Sequence, residues 1–356
     1  YKLYDKLFTP TTMSYKDGTV VAFLMEMKFM KVDKPAHYSA KNAEELLSSY
    51  EDNEDTSKNP NIIVVMNEAF SDLSVLDKYQ TNTDEIPFMR SLMNNAENTI
   101  SGYMDVSVLG GNTANTEFEF LAGDTMAFLP LGSIPYQQYV KSQTDSIASL
   151  LKEYGYSTIA MHPYRAAGWD RDKVYTRFGF DRFYSQDDFT NPEILRNYIS
   201  DQADVDKIKE IYEEKEDKTP LFLFNVTMQN HSSYTESFDN FRPEVSVTNS
   251  DSAALNNYLS LLKKSDESLQ DLIEYFSTID EDTIIVFFGD HQPTDSVVAP
   301  IYKLNCRSVN SLTEEEVRER YKVPFIIWAN YDIDEASGLT TSANFLGSKV
   351  LDLTDN

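Results

Sequence analysis

Short apolar runs that break off into polar residues recur along this chain from residue 61 onward. NIIVVMNEAF (61–70) is the first, and YSTIAMHPY (156–164), TPLFLFNVTMQNHSSY (219–234) and DTIIVFFGDHQP (282–293) repeat the design. YKVPFIIWAN (321–330) adds a fifth run. Runs this short and unbroken suit strands buried on both faces, with a functional loop at the polar end. Helical patterns lie between them. TDSIASLLKEYG (144–155) has an acidic start and a glycine stop, and SAALNNYLSLLKKSDESLQDLIEYFSTI (252–279) is the clearest. Strands alternating with helices predict an α/β fold, with a mostly parallel central sheet flanked by helices on both faces. Ligands are then expected beyond the carboxyl ends of the strands.

Residues 1–60 follow another pattern. GTVVAFLMEMKFM (18–30) is apolar with two embedded charges, and reads as a helix that packs on the domain or lies near a membrane, packing being preferred. Residues 34–60 read as a helix followed by a polar linker ending at Pro60. No stretch reaches the roughly 18–20 apolar residues of a membrane span. No signal peptide is visible. The first residue is Tyr1, so the chain is expected to be processed or cut from something longer, with material missing at either end.

Composition narrows the partners. Of 356 residues, 31 are Lys or Arg and 58 are Asp or Glu, a formal net charge of −27. Such a surface repels nucleic acid and an anionic bilayer. An anionic substrate stays open, because a bound metal reverses the local potential. The single cysteine, Cys306, excludes an internal disulfide and a thiolate metal cluster.

Four strand ends and one glycine loop carry candidate chemistry. Asp290 and His291 follow TIIVFFG, and their oxygen and nitrogen donors suit Zn or Mn, although from the motif alone a turn with a helix cap and a surface histidine is the plainer reading. Glu68 closes the 61–67 run in the same way; a carboxylate there is costly unless paired or metal-bound. SVLGGNTANTEFEFLAG (107–123) places Thr113 after two glycines at the start of a potential helix. Its hydroxyl and the adjacent N–H groups could surround an anion, or the threonine could simply cap the helix. The Gly-Lys-Ser/Thr element of a P-loop is absent. Of four histidines, His162, His231 and His291 all close apolar runs, while His37 lies in the polar N-terminal stretch. The segment 162–183 supplies Arg165, Trp169, Arg171 and Arg177; arginine suits phosphate, and ion pairs with Asp170, Asp172 and Asp181 are the plainer use.

Taken in order, NIIVVMNEAFSD, GGNTANTEFEFLAG, HPYRAAGWDRDKVYTRFGFDRFY, TMQNHSSY and FFGDHQP resemble the extracellular catalytic domain of the lipoteichoic acid synthase-type phosphoglycerol transferases, in the alkaline phosphatase/sulfatase superfamily. The resemblance covers about residues 18–330. It implies a membrane-proximal segment over residues 1–60, attached to missing N-terminal membrane helices, and a sulfatase-like catalytic domain over 61–356, with a closing segment shorter than the family's. It implies Glu68, Thr113, Asp290 and His291 as ligands of Mn2+, or of Mg2+. Thr113 would be the nucleophile, His231 and Arg171 would assist catalysis, and His162, Trp169, Arg171 and His231 would bind substrate. Asp170 stands where the family tends to have Asn. The implied reaction moves glycerol phosphate from an anionic phospholipid, phosphatidylglycerol, to a hydroxyl on a lipoteichoic acid chain, a glycolipid or a glycan at the extracytoplasmic face of a bacterial cell membrane. Phosphoethanolamine transferase, phosphodiesterase and sulfatase activities share the scaffold, and a non-catalytic envelope protein is the remaining alternative.

Overall fold

Eight of the ten strands among the described residues join one sheet. The computed structural model describes residues 18–29, 32, 34, 36, 38–48, 59–130 and 132–354. The strands are β1 (Asn61–Asn67), β2 (Thr99–Asp105), β3 (Ser157–Met161), β4 (Arg182–Tyr184), β5 (Ile194–Leu195), β6 (Tyr198–Ile199), β7 (Leu221–Val226), β8 (Thr283–Gly289), β9 (Lys322–Ala329) and β10 (Ala336–Ser342). Their order across the sheet is β10-β2-β9-β8-β1-β7-β3-β4, and β5 pairs with β6 in a separate hairpin. β1 runs parallel to β7 and β8, β3 to β7 and β4, and β10 to β2. Within this sheet β9 is antiparallel to both of its neighbours. The carboxyl ends of the other seven therefore share one edge, as the polar breaks in the sequence predict.

The unbroken apolar runs have a direct cause. Successive strand residues alternate between faces, and here both faces are covered. Ile63, Val65, Leu223 and Phe287 join one core, into which the helix Ala253–Phe276 sends Leu255, Leu262 and Leu269. Ile62, Val64, Phe224 and Val286 join the other, with Phe120 of the helix Thr113–Ala122 and Leu346 of the helix Ala343–Leu351. Each such burial contributes about 1.5–3 kcal/mol against exposure. The short closing segment forms the helix Ala343–Leu351, which packs on the helix that begins at Thr113.

All five expected strands form. β2, β4, β10 and the small hairpin were not expected. β2 reads TISGYMD, with a glycine at its centre. A Cβ at Gly102 would lie 2.0 Å from the Leu339 carbonyl oxygen of β10, so glycine is what lets β10 approach. Near the N-terminus the helix Thr19–Phe29 leaves Val20, Phe23, Leu24 and Met27 exposed, and Ala40–Leu47 is helical with Ser39 as cap. His37 and most of the expected linker before Pro60 lie outside the described residues. Among the described residues no helix is long and apolar enough to cross a membrane.

Candidate active site and metal centre

Glu68 leaves β1 and Asp290 leaves β8, adjacent strands with Asn67 opposite Gly289. One donor atom each from Glu68, Asp290 and His291 lies within 4.8 Å of the others. Gly289 permits this closeness, since a Cβ there would sit 1.9 Å from the Phe70 carbonyl oxygen. The Ala69 N–H donates to Asp290 Oδ1 at 2.7 Å, and the Thr116 hydroxyl donates to the Asp290 carbonyl at 2.7 Å. His291 Nδ1 lies 3.0 Å from the Gln292 carbonyl oxygen. A carbonyl only accepts, so Nδ1 carries the hydrogen and Nε2 keeps its lone pair. That Nε2 is 3.2 Å from Asp290 Oδ2 and 3.6 Å from Glu68 Oε1.

This arrangement calls for a cation. His291 Nε2 and Asp290 Oδ2 are both buried without a hydrogen-bond partner. Facing acceptors in a dry site are costly unless something positive lies between them. Burial, and then the charge of Asp290, pushes the Glu68 carboxyl up to about 8. One divalent ion would satisfy all three groups, and a mixed oxygen and nitrogen donor set suits a transition metal such as Mn2+ or Zn2+.

Thr113 stands beside this triad. Asn112, at φ 68°, occupies the cap position of the helix Thr113–Ala122, and Thr113 is the first helical residue. The capping alternative for Thr113 is therefore excluded. Its hydroxyl donates to Glu68 Oε2 at 3.3 Å. The Gly110 N–H donates to the Gln292 carbonyl at 2.9 Å, tying the glycine loop to the Asp290–His291 loop. The positive end of the helix dipole adds to the site's attraction for anions.

A cavity of about 80 Å³ opens above these groups, lined by Glu68, Thr113, His162, Trp169, Arg171 and His231 among others. His162 follows β3, and its Nδ1 lies 2.8 Å from the Val226 carbonyl oxygen. Burial, reinforced by Arg171, holds it well below the usual histidine range. His231 follows β7, with Nδ1 2.9 Å from the Ser232 carbonyl and 3.2 Å from the Tyr198 hydroxyl. Burial lowers its pKa as well. Burial thus favours the neutral form of both rings, each with an Nε2 lone pair free of the backbone contact.

Arg171 differs from expectation in its partner. None of the three nearby aspartates holds it. Its Nε and Nη2 donate to Glu117, with Nε 3.1 Å from Oε1. Glu117 is fully buried and also accepts from the Tyr175 hydroxyl at 2.7 Å and the Tyr136 hydroxyl at 3.2 Å. Burial opposes the Arg171 charge, but Glu117 outweighs it and keeps the guanidinium protonated. Asp170 turns to Lys173 at 2.8 Å and does not line the cavity, so its extra charge is directed elsewhere. Arg177 donates to the Val140 carbonyl, and Asp181 pairs with Lys152.

Arg196 went unnoticed in the sequence. It sits between β5 and β6, in a segment with no strand-end pattern, and is buried. It donates to the carbonyls of Gln229, His231 and Ser233 at 2.6, 2.8 and 2.9 Å, which fixes the loop that carries His231. Arg196→Ala leaves three carbonyls without their donor. It is expected to cost about 2–4 kcal/mol in denaturant unfolding, with partial recovery in Arg196→Lys.

The sheet order, its helical covering and the buried Glu–Asp–His triad define an alkaline phosphatase/sulfatase-type domain. The chain belongs to the sulfatase family, whose sequence model matches residues 60–356. It is 31% identical over 347 residues to a Rhizobium meliloti protein named for cyclic beta-1,2-glucan modification, covering 96% of this chain and 53% of the relative. A lipoteichoic acid synthase of Staphylococcus saprophyticus is 26% identical over 244 residues, covering 66% of this chain and 36% of that protein. The chain thus spans about half the length of these relatives, or less. In structure it resembles the Streptococcus pyogenes phosphoglycerol transferase solved with sn-glycerol-1-phosphate, at a TM-score of 0.75 and 23% identity, covering 91% and 84% of the two chains. It is therefore a domain of the sulfatase family, similar over part of its length to lipoteichoic acid synthases, with a buried Glu–Asp–His cluster that could hold a metal.

Proposed function

We propose that this domain is a metal-dependent phosphoglycerol transferase at the outer face of a bacterial cell membrane, with phosphatidylglycerol as donor. The supporting observation is the Thr113 hydroxyl, which meets the triad at a helix N-terminus and faces a cavity lined by Arg171 and two neutral histidines. Manganese, or magnesium in its place, held by Glu68, Asp290, His291 and the Thr113 oxygen, would lower the hydroxyl pKa and polarise the phosphoryl oxygens.

The protein's own groups account for the rest. Thr113 Oγ attacks the phosphorus of the lipid phosphodiester, and the bond from phosphorus to the diacylglycerol oxygen breaks. The departing oxygen takes up the proton that Thr113 releases. The glycerophosphoryl group stays on Oγ until an acceptor hydroxyl attacks the same phosphorus. His231 Nε2 takes the acceptor's proton, the bond to Oγ breaks, and the proton passes on to the freed Thr113 oxygen, which restores both the hydroxyl and the neutral ring. Arg171, its charge secured by Glu117, stabilises the phosphoryl oxygens. His162 Nε2 accepts from a glycerol hydroxyl, and Trp169 covers the glycerol carbons.

A glycan hydroxyl is the favoured acceptor over a lipoteichoic acid chain. The relative aligned over nearly the whole chain is named for glucan modification. The rings of Tyr164 and Tyr198, 6.2 Å apart and packed against His162 and His231, offer aromatic faces suited to sugars. The nucleophile position argues against a sulfatase, which uses a modified cysteine or serine; here it is Thr113, and Cys306 is exposed and outside the cavity lining.

The test is diacylglycerol release from vesicles of phosphatidylglycerol, phosphatidylethanolamine or phosphatidylcholine with Mn2+. Release is expected from phosphatidylglycerol, together with a glycerophosphoryl mass increment on the protein. Turnover confined to phosphatidylethanolamine would replace the donor, and no turnover at all would favour a non-catalytic envelope protein. His291→Ala is expected to weaken Mn2+ binding by more than the ~10–100-fold typical of losing an outer-shell partner, measured by calorimetric titration.

A further inference from the structure

The catalytic cavity of about 80 Å³ is small beside the roughly 300–1,000 Å³ of a typical ligand cleft. A larger, open groove of about 520 Å³ adjoins it. One piece of chain joins the two: His231, Ser232 and Tyr234 line the cavity, and Thr235, Glu236 and Ser237 line the groove. Asn256 and Asn257, near the start of the helix Ala253–Phe276, also line the groove. This end of the helix is tied to the catalytic edge. The Tyr258 hydroxyl donates to the carbonyl of Ala69, next to Glu68, at 2.7 Å. Asn257 Nδ2 donates to the Tyr234 carbonyl at 2.7 Å. The groove therefore opens beside the active site, and one side of it is held in place by the same contacts.

Its polar groups are oriented in advance. Asn256 Oδ1 accepts from the Val247 N–H at 2.9 Å, which leaves Nδ2 as a donor with no partner among the described residues. Asn257 uses Nδ2 on Tyr234 and leaves Oδ1 as an acceptor, again with no partner among the described residues. Both side chains are half-buried. A fixed donor beside a fixed acceptor matches a sugar hydroxyl, which acts in both ways, and little freedom is lost on binding. Phe238, half-buried in the same lining, adds aromatic surface. The charges are Glu236 and Asp251 against Arg242, in a chain of net charge −27. That balance disfavours a polyanion such as a glycerol phosphate polymer. An acyl chain would meet mostly hydroxyl, amide and charged groups.

We propose that this groove is the acceptor subsite, and that it takes a neutral oligosaccharide whose reactive hydroxyl reaches past Tyr234 to His231. The proposal rests on the transferase reading above and adds the place where the acceptor binds. Asn256 Nδ2 donates to one sugar hydroxyl, Asn257 Oδ1 accepts from another, and Phe238 covers a ring face.

The test is saturation-transfer NMR on the purified chain with neutral β-linked glucose oligosaccharides and no lipid, so that binding is read without turnover. Saturable binding is expected. Asn256→Asp keeps the oxygen that holds Val247 and loses the free donor; it is expected to weaken binding ~5–10-fold, the scale of one hydrogen bond. Ser246 lines the groove, is exposed, and makes only backbone hydrogen bonds, to Asn82. Ser246→Trp therefore fills the groove without disturbing the core. It is expected to abolish binding and to raise the KM for the glycan in a transfer assay. No saturable binding in the wild type would overturn the proposal. Unchanged binding in a folded Ser246→Trp protein would overturn it by placing the sugar elsewhere, and tighter binding of a glycerol phosphate oligomer would overturn the choice of a neutral ligand. Glycan held in the groove of a chain that releases no diacylglycerol would keep the binding site and sink the transferase reading.

Discussion

Thr113→Ala is expected to lower transfer by ~10⁴–10⁶-fold, the scale on which losing a nucleophile acts, while Mn2+ binding stays nearly intact. The distinction follows from geometry. Glu68, Asp290 and His291 converge without help from Thr113, through the β1–β8 register and the contacts of Ala69 and Gln292. Thr113 adds one neutral oxygen, whereas the proposed reaction needs that oxygen for bond making. Thr113→Ser supplies the control. It keeps the hydroxyl at the helix start and is expected to retain measurable turnover and the covalent adduct. Metal titration, diacylglycerol release and intact mass on the three proteins separate the outcomes. Normal turnover in Thr113→Ala would rule out covalent catalysis through this residue, and equal inactivity in Thr113→Ser would shift the fault to local packing.

The largest expected effect on stability comes from Glu117→Ala. Glu117 and Arg171 are both buried, and two tyrosine hydroxyls share the same carboxylate. Removing the acid strands a guanidinium inside the protein, which costs about 3–5 kcal/mol for a buried pair broken on one side. Denaturant unfolding should show a lowered midpoint that corresponds to this loss divided by an unchanged slope. Glu117→Gln retains an acceptor for Arg171 and should fold, with a raised KM for the lipid donor as Arg171 loses its alignment. Wild-type stability in Glu117→Ala would mean that water reaches the pair and that Arg171 is not held in place by it.

Glu117 also marks where the sequence stops being informative. In TANTEFEFLA it is one of two acids on an ordinary-looking helix. Its partners come from residues 136, 171 and 175, and nothing local announces them. Arg196 is hidden for the same reason, because its work is done on backbone carbonyls of a distant loop. β2 and β10 escaped because β10 is largely half-buried or exposed and β2 carries a mid-strand glycine. The legible part is the part buried on both faces. β1, β3, β7, β8 and β9 are near-continuous apolar runs because every position on them is buried except the strand-starting Ser157 and Lys322, and the polar break that follows four of them marks the edge that carries the candidate site. Glu68, Thr113, His162, His231 and His291 were each identifiable from such breaks or from the glycine loop. The role of Thr113 was not, since its distance from Glu68 depends on pairing between distant segments.

That pairing has a consequence for how the domain matures. Glu68 lies near the start of the domain and Asp290 near its end, and they meet only when β8 has docked beside β1. Contacts of such high sequence separation form slowly, after long loops have closed. The Glu68–Asp290–His291 cluster therefore does not exist on a partly folded chain. A metal held by this triad would be captured late, when the central ladder closes, and the ionic content of the surrounding compartment, together with the donor set's own preference, would decide which one.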